Sequence, residues 1–288
     1  MKSVLIVGIN SAIGRFAKEK FESNKWIVYG TTKNTNELNE KTLYLDLLDP
    51  KSFVLDENIL IDVVVFCASI TKIKDCCEKK LFCKKINLDA QVFLAILLKK
   101  HSNPFMIFLS SSTVFDGKSP FMREDDNVCP SNFYGKLKAD AEEELKKITD
   151  KIAIVRATKV LYMEHFLVKK WIDDLNSMKN IAPFSDLTLS PISMELVITA
   201  IFLLATMKKS GVFHLSGESD ITYVDIANYL LKKLSIDKEL INPINAIGYL
   251  ISEQYAPKYT SLDMANSKKD LSLFPESYMS ILDRIFNA

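Results

Sequence analysis

An α/β chain built on a doubly wound parallel sheet is predicted by three observations. Short β-rich apolar runs alternate with helical stretches through the first half of the sequence. One run, Asp62-Val-Val-Val-Phe-Cys67, is continuous rather than alternating in polarity, as expected of a strand buried on both faces. The first run passes directly into a glycine-bearing turn and then an amphipathic helix. Such alternation calls for a parallel sheet covered by helices on both sides.

Strands are predicted at Ser3–Gly8, Trp26–Thr32, Thr42–Asp46, Asp62–Ala68, Pro104–Ser111 and Lys151–Arg156, with helices over 13–24, 73–101 and 131–148. After Arg156 the rhythm changes. Helices over 164–178, 192–208, 222–234 and 275–286 are joined by irregular segments and short strands such as Gly211–Leu215. The division expected is a first domain over 1–156 and a smaller α/β lobe over 157–288, interleaved with the sheet edge. There is no internal repeat and no Pro/Gly-rich linker.

Composition bounds the function. The chain has 288 residues, 48% of them hydrophobic and 25% charged, the balance of a globular protein with a buried core. The net charge of +1 is dispersed, and pairs such as Lys79-Lys80 and Lys99-Lys100 read as solvated helix faces, so no nucleic acid partner is expected. Asn10, Ser11 and Gly14 interrupt the N-terminal apolar run before it resembles a signal-peptide core. The longest later run, Leu196 to Met207, is too short for a membrane span, which needs about 20 residues. The five cysteines (Cys67, Cys76, Cys77, Cys83, Cys129) fit neither a disulfide framework nor paired zinc ligands. They read as free thiols in a reducing compartment, which points to the cytoplasm.

The first strand runs into Gly8-Ile-Asn-Ser-Ala-Ile-Gly14. Glycines at such a turn let the backbone approach a pyrophosphate, and the following helix N-terminus offers free N–H groups and a positive dipole. The expected cofactor contacts are Gly8, Asn10, Ser11, Ala12, Ile13 and Gly14 in this turn of a Rossmann-type domain. The second strand ends in Gly30-Thr31-Thr32-Lys33, with no carboxylate for a ribose 2′-hydroxyl. Lys33 would meet a 2′-phosphate with Thr31 or Thr32 beside it, favouring NADP over NAD; the alternative is a surface lysine. Asp46 and Leu47 after the third strand, and Cys67, Ala68 and Ser69 after the fourth, complete the predicted nucleotide edge.

The fifth strand delivers Ser110-Ser111-Ser112 to that same edge, and the next helix opens with Asn132-Phe133-Tyr134-Gly135-Lys136-Leu137-Lys138. Tyr134 and Lys138 are four apart and share a helix face. A phenol with an ordinary pKa of about 10 needs a neighbouring ammonium to act as acid or base near pH 7. Ser111 would position a carbonyl or alcohol, and Lys138 would also hold the nicotinamide ribose.

With these residues in place, the chain resembles the extended short-chain dehydrogenase/reductases, and among them the dTDP-4-dehydrorhamnose reductase-like group. The stretch Ser110-Ser-Ser-Thr-Val-Phe-Asp-Gly117, with Glu124, Asp126, Pro130, Asn132, Tyr134-Gly135 and Lys138, carries the resemblance best. Arg156-Ala-Thr-Lys-Val160, Leu189-Ser-Pro-Ile192, Gly211–Gly217 and Tyr259-Thr-Ser-Leu-Asp263 are similar to later landmarks. The resemblance implies Ser111, Tyr134 and Lys138 as catalytic residues, Ser112, Thr113 and Lys159 as substrate contacts, and a nucleotide-sugar substrate. Ser11 replaces a family glycine, Lys159 stands where rhamnose reductases tend to carry Trp, and Arg15-Phe16 lacks the acidic residue of a metal-assisted dimer. No metal is therefore expected, and a homodimer rests on the resemblance alone. Ser111 is followed by Ser112-Thr113 instead of the Asp-Glu pair of 4,6-dehydratases, which disfavours elimination.

The expected activity is NADP(H)-dependent reduction of a keto group on a nucleotide-activated sugar, in surface polysaccharide precursor synthesis. A 4-epimerase retaining NAD and a non-catalytic NADP-binding regulatory subunit are the alternatives. His101, His165 and His214 lack metal-ligand spacing and read as structural. Asn87 is either an active-site neighbour, as the superfamily implies, or a helix-kinking polar residue. Arg156 either joins Lys159 at the substrate or pairs within the fold. Trp171 and Phe184 read as core, and the polar segment 116–129 as a substrate lid.

Overall fold

The predicted strands of the first half all form, with ends trimmed by one or two residues, in the computed structural model, which describes residues 1–163, 166–236, 238–247 and 256–287. In chain order the elements are β1 (Ser3–Val7), α1 (Ala12–Ser23), β2 (Ile27–Thr32), β3 (Thr42–Tyr44), β4 (Val63–Phe66), α2 (Ile73–Glu78), α3 (Lys80–Lys84), α4 (Ala90–His101), β5 (Phe105–Ser111), α5 (Phe133–Ile148) and β6 (Ile152–Ala157). There follow β7 (Lys159–Leu161), α6 (Phe166–Asn176), β8 (Thr188–Leu189), β9 (Pro191–Ser193), α7 (Met194–Met207), β10 (Gly211–Leu215), β11 (Ile221–Thr222), α8 (Tyr223–Leu234), α9 (Ala265–Leu271) and α10 (Tyr278–Asn287).

The central sheet has seven strands in the order β10-β6-β5-β4-β1-β2-β3. The β1–β2, β1–β4, β2–β3 and β4–β5 pairs are parallel, with Val4 beside Val28 on one side and Val63 on the other. Every residue of β1 and β4 is buried, which is why these strands read as continuous apolar runs. The chain order reverses between β1 and β4, so the carboxyl ends of those strands open the crevice where doubly wound sheets bind ligands. One face of the sheet packs Phe66, Met106 and Phe108 against Leu94, Leu98, Leu137 and Leu145 of α4 and α5. Beyond α1, Phe21 meets Trp26 at 5.1 Å and Phe202 of α7 at 5.5 Å between ring centroids.

The chain divides into two compact units. The first comprises Met1–Val114, Val128–Arg156 and Val197–Phe213; the second comprises Phe115–Asn127, Ala157–Leu196 and His214–Ala288. Besides the expected boundary at 156/157, the chain passes between the units at 114/115, 127/128, 196/197 and 213/214. The apolar run from Leu196 is a buried helix that returns to the first unit, and β10 takes the sheet edge beside β6. Among the described residues no helix is long and apolar enough to cross a membrane.

Three local departures have identifiable causes. The helix expected over 73–101 is broken at Lys79 (φ −114°, ψ 51°) and again by a π-helical turn at Lys85–Asp89. That turn lets the buried Asn87 side chain leave the helix ladder and bind the segment after β4. The third strand stops at Tyr44 because the Asp46 carboxylate accepts the Leu48 N–H at 2.9 Å and turns the chain. The segment expected to be a lid is pinned within the second unit: Tyr259 N–H donates to Gly117 O, Phe121 N–H to Ser261 O and Asp263 N–H to Met122 O. The short α9, which has no long apolar period, was absent from the predicted helices.

The second unit has its own core. Val168, Trp171 and Leu175 of α6 pack with Ile226, Leu230 and Leu231 of α8 and Ile281, Leu282 and Ile285 of α10. Trp171 and Phe184 both meet Tyr223 edge-on, at 6.3 and 6.0 Å, and are packing residues. His214 is fully buried with Nδ1 3.0 Å from Asp263 O, and His101 Nε2 lies 3.2 Å from Asp56 O; both serve the fold. His165 lies outside the described residues.

Candidate active site

The turn after β1 is held by its own polar groups. Gly8 adopts φ +87°, and an added Cβ there would stand 2.6 Å from the Ala68 Cβ after β4. Ser11 caps α1: its hydroxyl donates to Gly8 O at 2.8 Å and accepts the Gly14 N–H at 3.0 Å. A Cβ on Gly14 would lie 2.3 Å from Gly8 O, so a glycine is needed where the helix start closes on the turn. The serine that replaces a glycine therefore stabilises the loop instead of obstructing it. Ala12 and Ile13 form the first turn of α1 and stay half-exposed. This cradle fits a dinucleotide pyrophosphate, which needs close backbone approach and a helix N-terminus.

The end of β2 differs from the expectation. Thr31 is buried and its hydroxyl accepts the Gly8 N–H at 3.0 Å, so it braces the turn. Thr32 accepts from the Asn10 side chain at 2.9 Å and from Asn34 N–H at 3.0 Å. Lys33 is exposed. A carboxylate is present after all: the 3₁₀ turn Thr35–Glu37 folds Glu37 back, where Asn10 Nδ2 donates to one oxygen at 2.5 Å and Asn34 Nδ2 to the other at 2.7 Å. Sequence reasoning missed Glu37 because it scanned the strand end and not the turn behind it. Asp46 and Leu47 lie just past β3 and are half-exposed.

At the carboxyl ends of β4 and β5, Ser69, Ser111 and Tyr134 converge. The Tyr134 hydroxyl is within hydrogen-bonding reach of the Ser111 and Ser69 side chains, and Thr113 N–H and Oγ1 hold Ser111 Oγ at 3.2 and 3.0 Å. Ser112 and Thr113 form the turn that follows. Asn132 caps α5 by accepting the Gly135 N–H at 2.9 Å, which fixes where Tyr134 leaves the helix. Asn87 accepts from Ser69 Oγ at 3.1 Å and Ile70 N–H at 2.8 Å, and donates to Ile70 O at 2.8 Å. It is both the helix-distorting residue and an active-site neighbour, one step removed from Tyr134 through Ser69.

Burial raises the Tyr134 phenol above its ordinary range, outweighing the lowering by the Ser111 and Ser69 hydroxyls. Lys138 is buried, and that burial draws its ammonium down to about 8 despite the attraction of Glu142. Lys138 Nζ donates to Leu109 O at 2.8 Å, lies 4.7 Å from the Phe108 ring centre and 5.9 Å from the Tyr134 ring centre. The ammonium is thus anchored to the strand while lying beside the Tyr134 ring. Cys67 is inert toward it at neutral pH, its thiol pushed up to about 12 by burial. Arg156 pairs inside the fold: Nη2 meets Glu142 at 2.7 Å and Nε meets the same carboxylate at 3.1 Å, both residues being buried. Lys159 belongs to the second unit, where it begins β7 and is exposed. Among the described residues no group of three or more His, Cys, Asp or Glu is placed to hold a metal ion.

A family model described as the RmlD substrate binding domain matches residues 1–288. The chain belongs to the RmlD substrate binding domain family. Among curated proteins, it is 24% identical over 276 residues to the probable low-salt glycan biosynthesis reductase Agl14 of Haloferax volcanii, covering 92% of this chain and 91% of that one. It is 30% identical over 164 residues to methionine adenosyltransferase 2 subunit beta of Xenopus tropicalis; that match spans 56% of this chain and about half (47%) of the relative. In fold, this RmlD family member is similar to the dTDP-4-dehydrorhamnose reductase of Bacillus anthracis solved in complex with NADP, with TM-score 0.83, 21% identity, and coverage of 100% of this chain and 99% of that one.

Proposed function

We propose that this protein is an NADP(H)-dependent oxidoreductase that reduces a keto group on a nucleotide-activated sugar, in surface polysaccharide precursor synthesis in the cytoplasm. The observation that carries the reading is the convergence of Ser111, Tyr134 and Lys138 at the crevice beside the Gly8–Gly14 turn. The solved relative with NADP and the glycan biosynthesis reductase support it. When bound, the nicotinamide supplies a hydride. Ser111 orients the carbonyl oxygen, and Tyr134, kept protonated by its burial, gives that oxygen its proton. The Lys138 ammonium steadies the negative charge that this leaves on the phenol. Ser112, Thr113 and Lys159 are assigned to the sugar nucleotide. The 1–156 and 157–288 portions are assigned chiefly to cofactor and substrate respectively, and a homodimer is assigned as the assembly.

Stirring purified protein with NADPH and dTDP-4-dehydrorhamnose or related keto-sugar nucleotides, and following loss of NADPH absorbance, tests the reading directly. Hydride uptake with any of them supports it; nucleotide binding without turnover of any keto sugar would refute it. The second outcome would favour a regulatory subunit, a reading supported by the relatives named as adenosyltransferase subunits. A tightly retained NAD would instead favour an epimerase.

The same assay across pH has an expected shape. Lys138 is charged below about 8 and loses its proton above it, while Tyr134 remains a phenol throughout that range. Reduction should therefore plateau below about pH 8 and fall about ten-fold per unit above it. A rate that keeps rising to pH 9.5 would exclude a role for the Lys138 charge.

Cofactor preference has its own test at Glu37. The Glu37 carboxylate, held behind the end of β2, opposes a 2′-phosphate, while the exposed Lys33 that follows the strand attracts one, so the two charges act in opposite directions on cofactor choice. Glu37→Gln keeps an acceptor oxygen for one of the two asparagines and removes the charge, so the ratio of NADPH to NADH affinity should rise about ten-fold, measured by fluorescence titration. An unchanged ratio would place the adenosine ribose elsewhere.

A further inference from the structure

Lys138 does not stand alone on its helix. Tyr134, Lys138 and Glu142 recur every fourth residue along one face of α5, and each faces one of the last three residues of β5. Tyr134 reaches Ser111, Lys138 Nζ donates to Leu109 O at 2.8 Å, and Ser110 Oγ donates to Glu142 Oε1 at 2.5 Å. The carboxylate of Glu142 is 2% exposed and is also gripped by Nε and Nη2 of Arg156, itself 3% exposed on β6. A carboxylate so deep costs several kcal/mol to desolvate and persists only when paired. The proposed mechanism leaves this ion pair without a task.

We propose that Glu142 is a positioning residue for Lys138: its buried carboxylate, anchored by Arg156 and Ser110, holds the ammonium charged against Leu109 O without capturing it. This rests on the reductase reading for its use in catalysis, though not for its physical content. The geometry gives the reason. A carboxylate free to swing would form a direct ion pair with the lysine one turn before it, and that pair would draw the ammonium off the strand. Arg156 takes both oxygens and Ser110 a third lone pair, so only the through-space attraction remains. Burial draws the Lys138 proton off and the Glu142 charge holds it on, so the two effects oppose each other. The other titratable groups around Lys138 are Tyr134 on its own helix, Cys67 after β4 and Cys76 on α2. All three stay neutral near pH 8, because burial raises the phenol above its usual range and the thiols to about 12. Beside burial, Glu142 is then the charge that sets the lysine.

Two variants should act in opposite directions. Glu142→Gln keeps the shape and the Ser110 acceptor but removes the negative charge, leaving burial unopposed at Lys138. Its titration midpoint should fall by about one unit, a ten-fold weaker hold on the proton. Arg156→Met frees the carboxylate to pair with Lys138, and the midpoint should rise by about one unit or more. The midpoint is read from the side-chain ¹³Cε resonance of lysine-labelled protein, assigned with Lys138→Arg, and requires neither cofactor nor sugar. Because Arg156→Met leaves Glu142 with Lys138 as a partner, it remains a test if Glu142→Gln does not fold. Midpoints that stay at the wild-type value in a folded variant would overturn the proposal, whatever the thermal stability does. If the midpoints shift as expected but no keto sugar is reduced, the inference stands and the reductase reading fails. If reduction occurs, its alkaline limb should move with each midpoint.

Discussion

Tyr134→Phe should lower kcat for keto-sugar reduction by about 10²- to 10⁴-fold while nucleotide affinity stays within about two-fold of wild type. The ring is buried and keeps its packing in the variant, so the change is confined to one oxygen. That oxygen is the group within reach of both Ser111 and Ser69, and burial holds its proton on at neutral pH. Steady-state kinetics with NADPH, beside a fluorescence titration of the same variant, separates chemistry from binding. Retention of more than about a third of wild-type kcat would remove Tyr134 from the proton path and require another acid.

The second large effect belongs to the other end of the crevice. Gly14→Ala should weaken dinucleotide binding by about 100-fold or more, some 2.7 kcal/mol. The added methyl meets Gly8 O at 2.3 Å, and Ile9 O and Ser11 Oγ at 2.9 Å. Two of those atoms are backbone, so the turn itself must open, and it would lose the Ser11 cap on Gly14 N–H with it. Circular dichroism and thermal unfolding would establish that the variant is folded before isothermal titration with NADPH. Wild-type affinity in a folded Gly14→Ala protein would mean that the pyrophosphate does not lie on this turn.

Much of this was written locally. Strand and helix periods placed β1 to β6, α1 and α5 within a residue or two, because strands buried on both faces and one-sided helices leave unambiguous patterns. The Tyr134–Lys138 spacing fixed a shared helix face, and both side chains are buried on α5. Other features left no local trace. The interruption of the helix over 73–101 depends on Asn87 finding Ile70 across the chain, and nothing in Ile86-Asn87-Leu88 announces a π-helical turn. Glu37 reaches the end of β2 only through a 3₁₀ turn and two asparagines.

By itself the sequence determined the α/β class, the strand-turn-helix at Gly8–Gly14 and the shared helix face of Tyr134 and Lys138, since each depends on residue type at short spacing. Tertiary structure decided which charges meet. It turned Arg156 inward onto Glu142, aimed Lys138 at Leu109 O and returned Val197–Met207 to the first unit. Those outcomes depend on pairing between strands and helices far apart in the chain. Only a packed interior, where an unpaired charge is costly, makes one partner win over another.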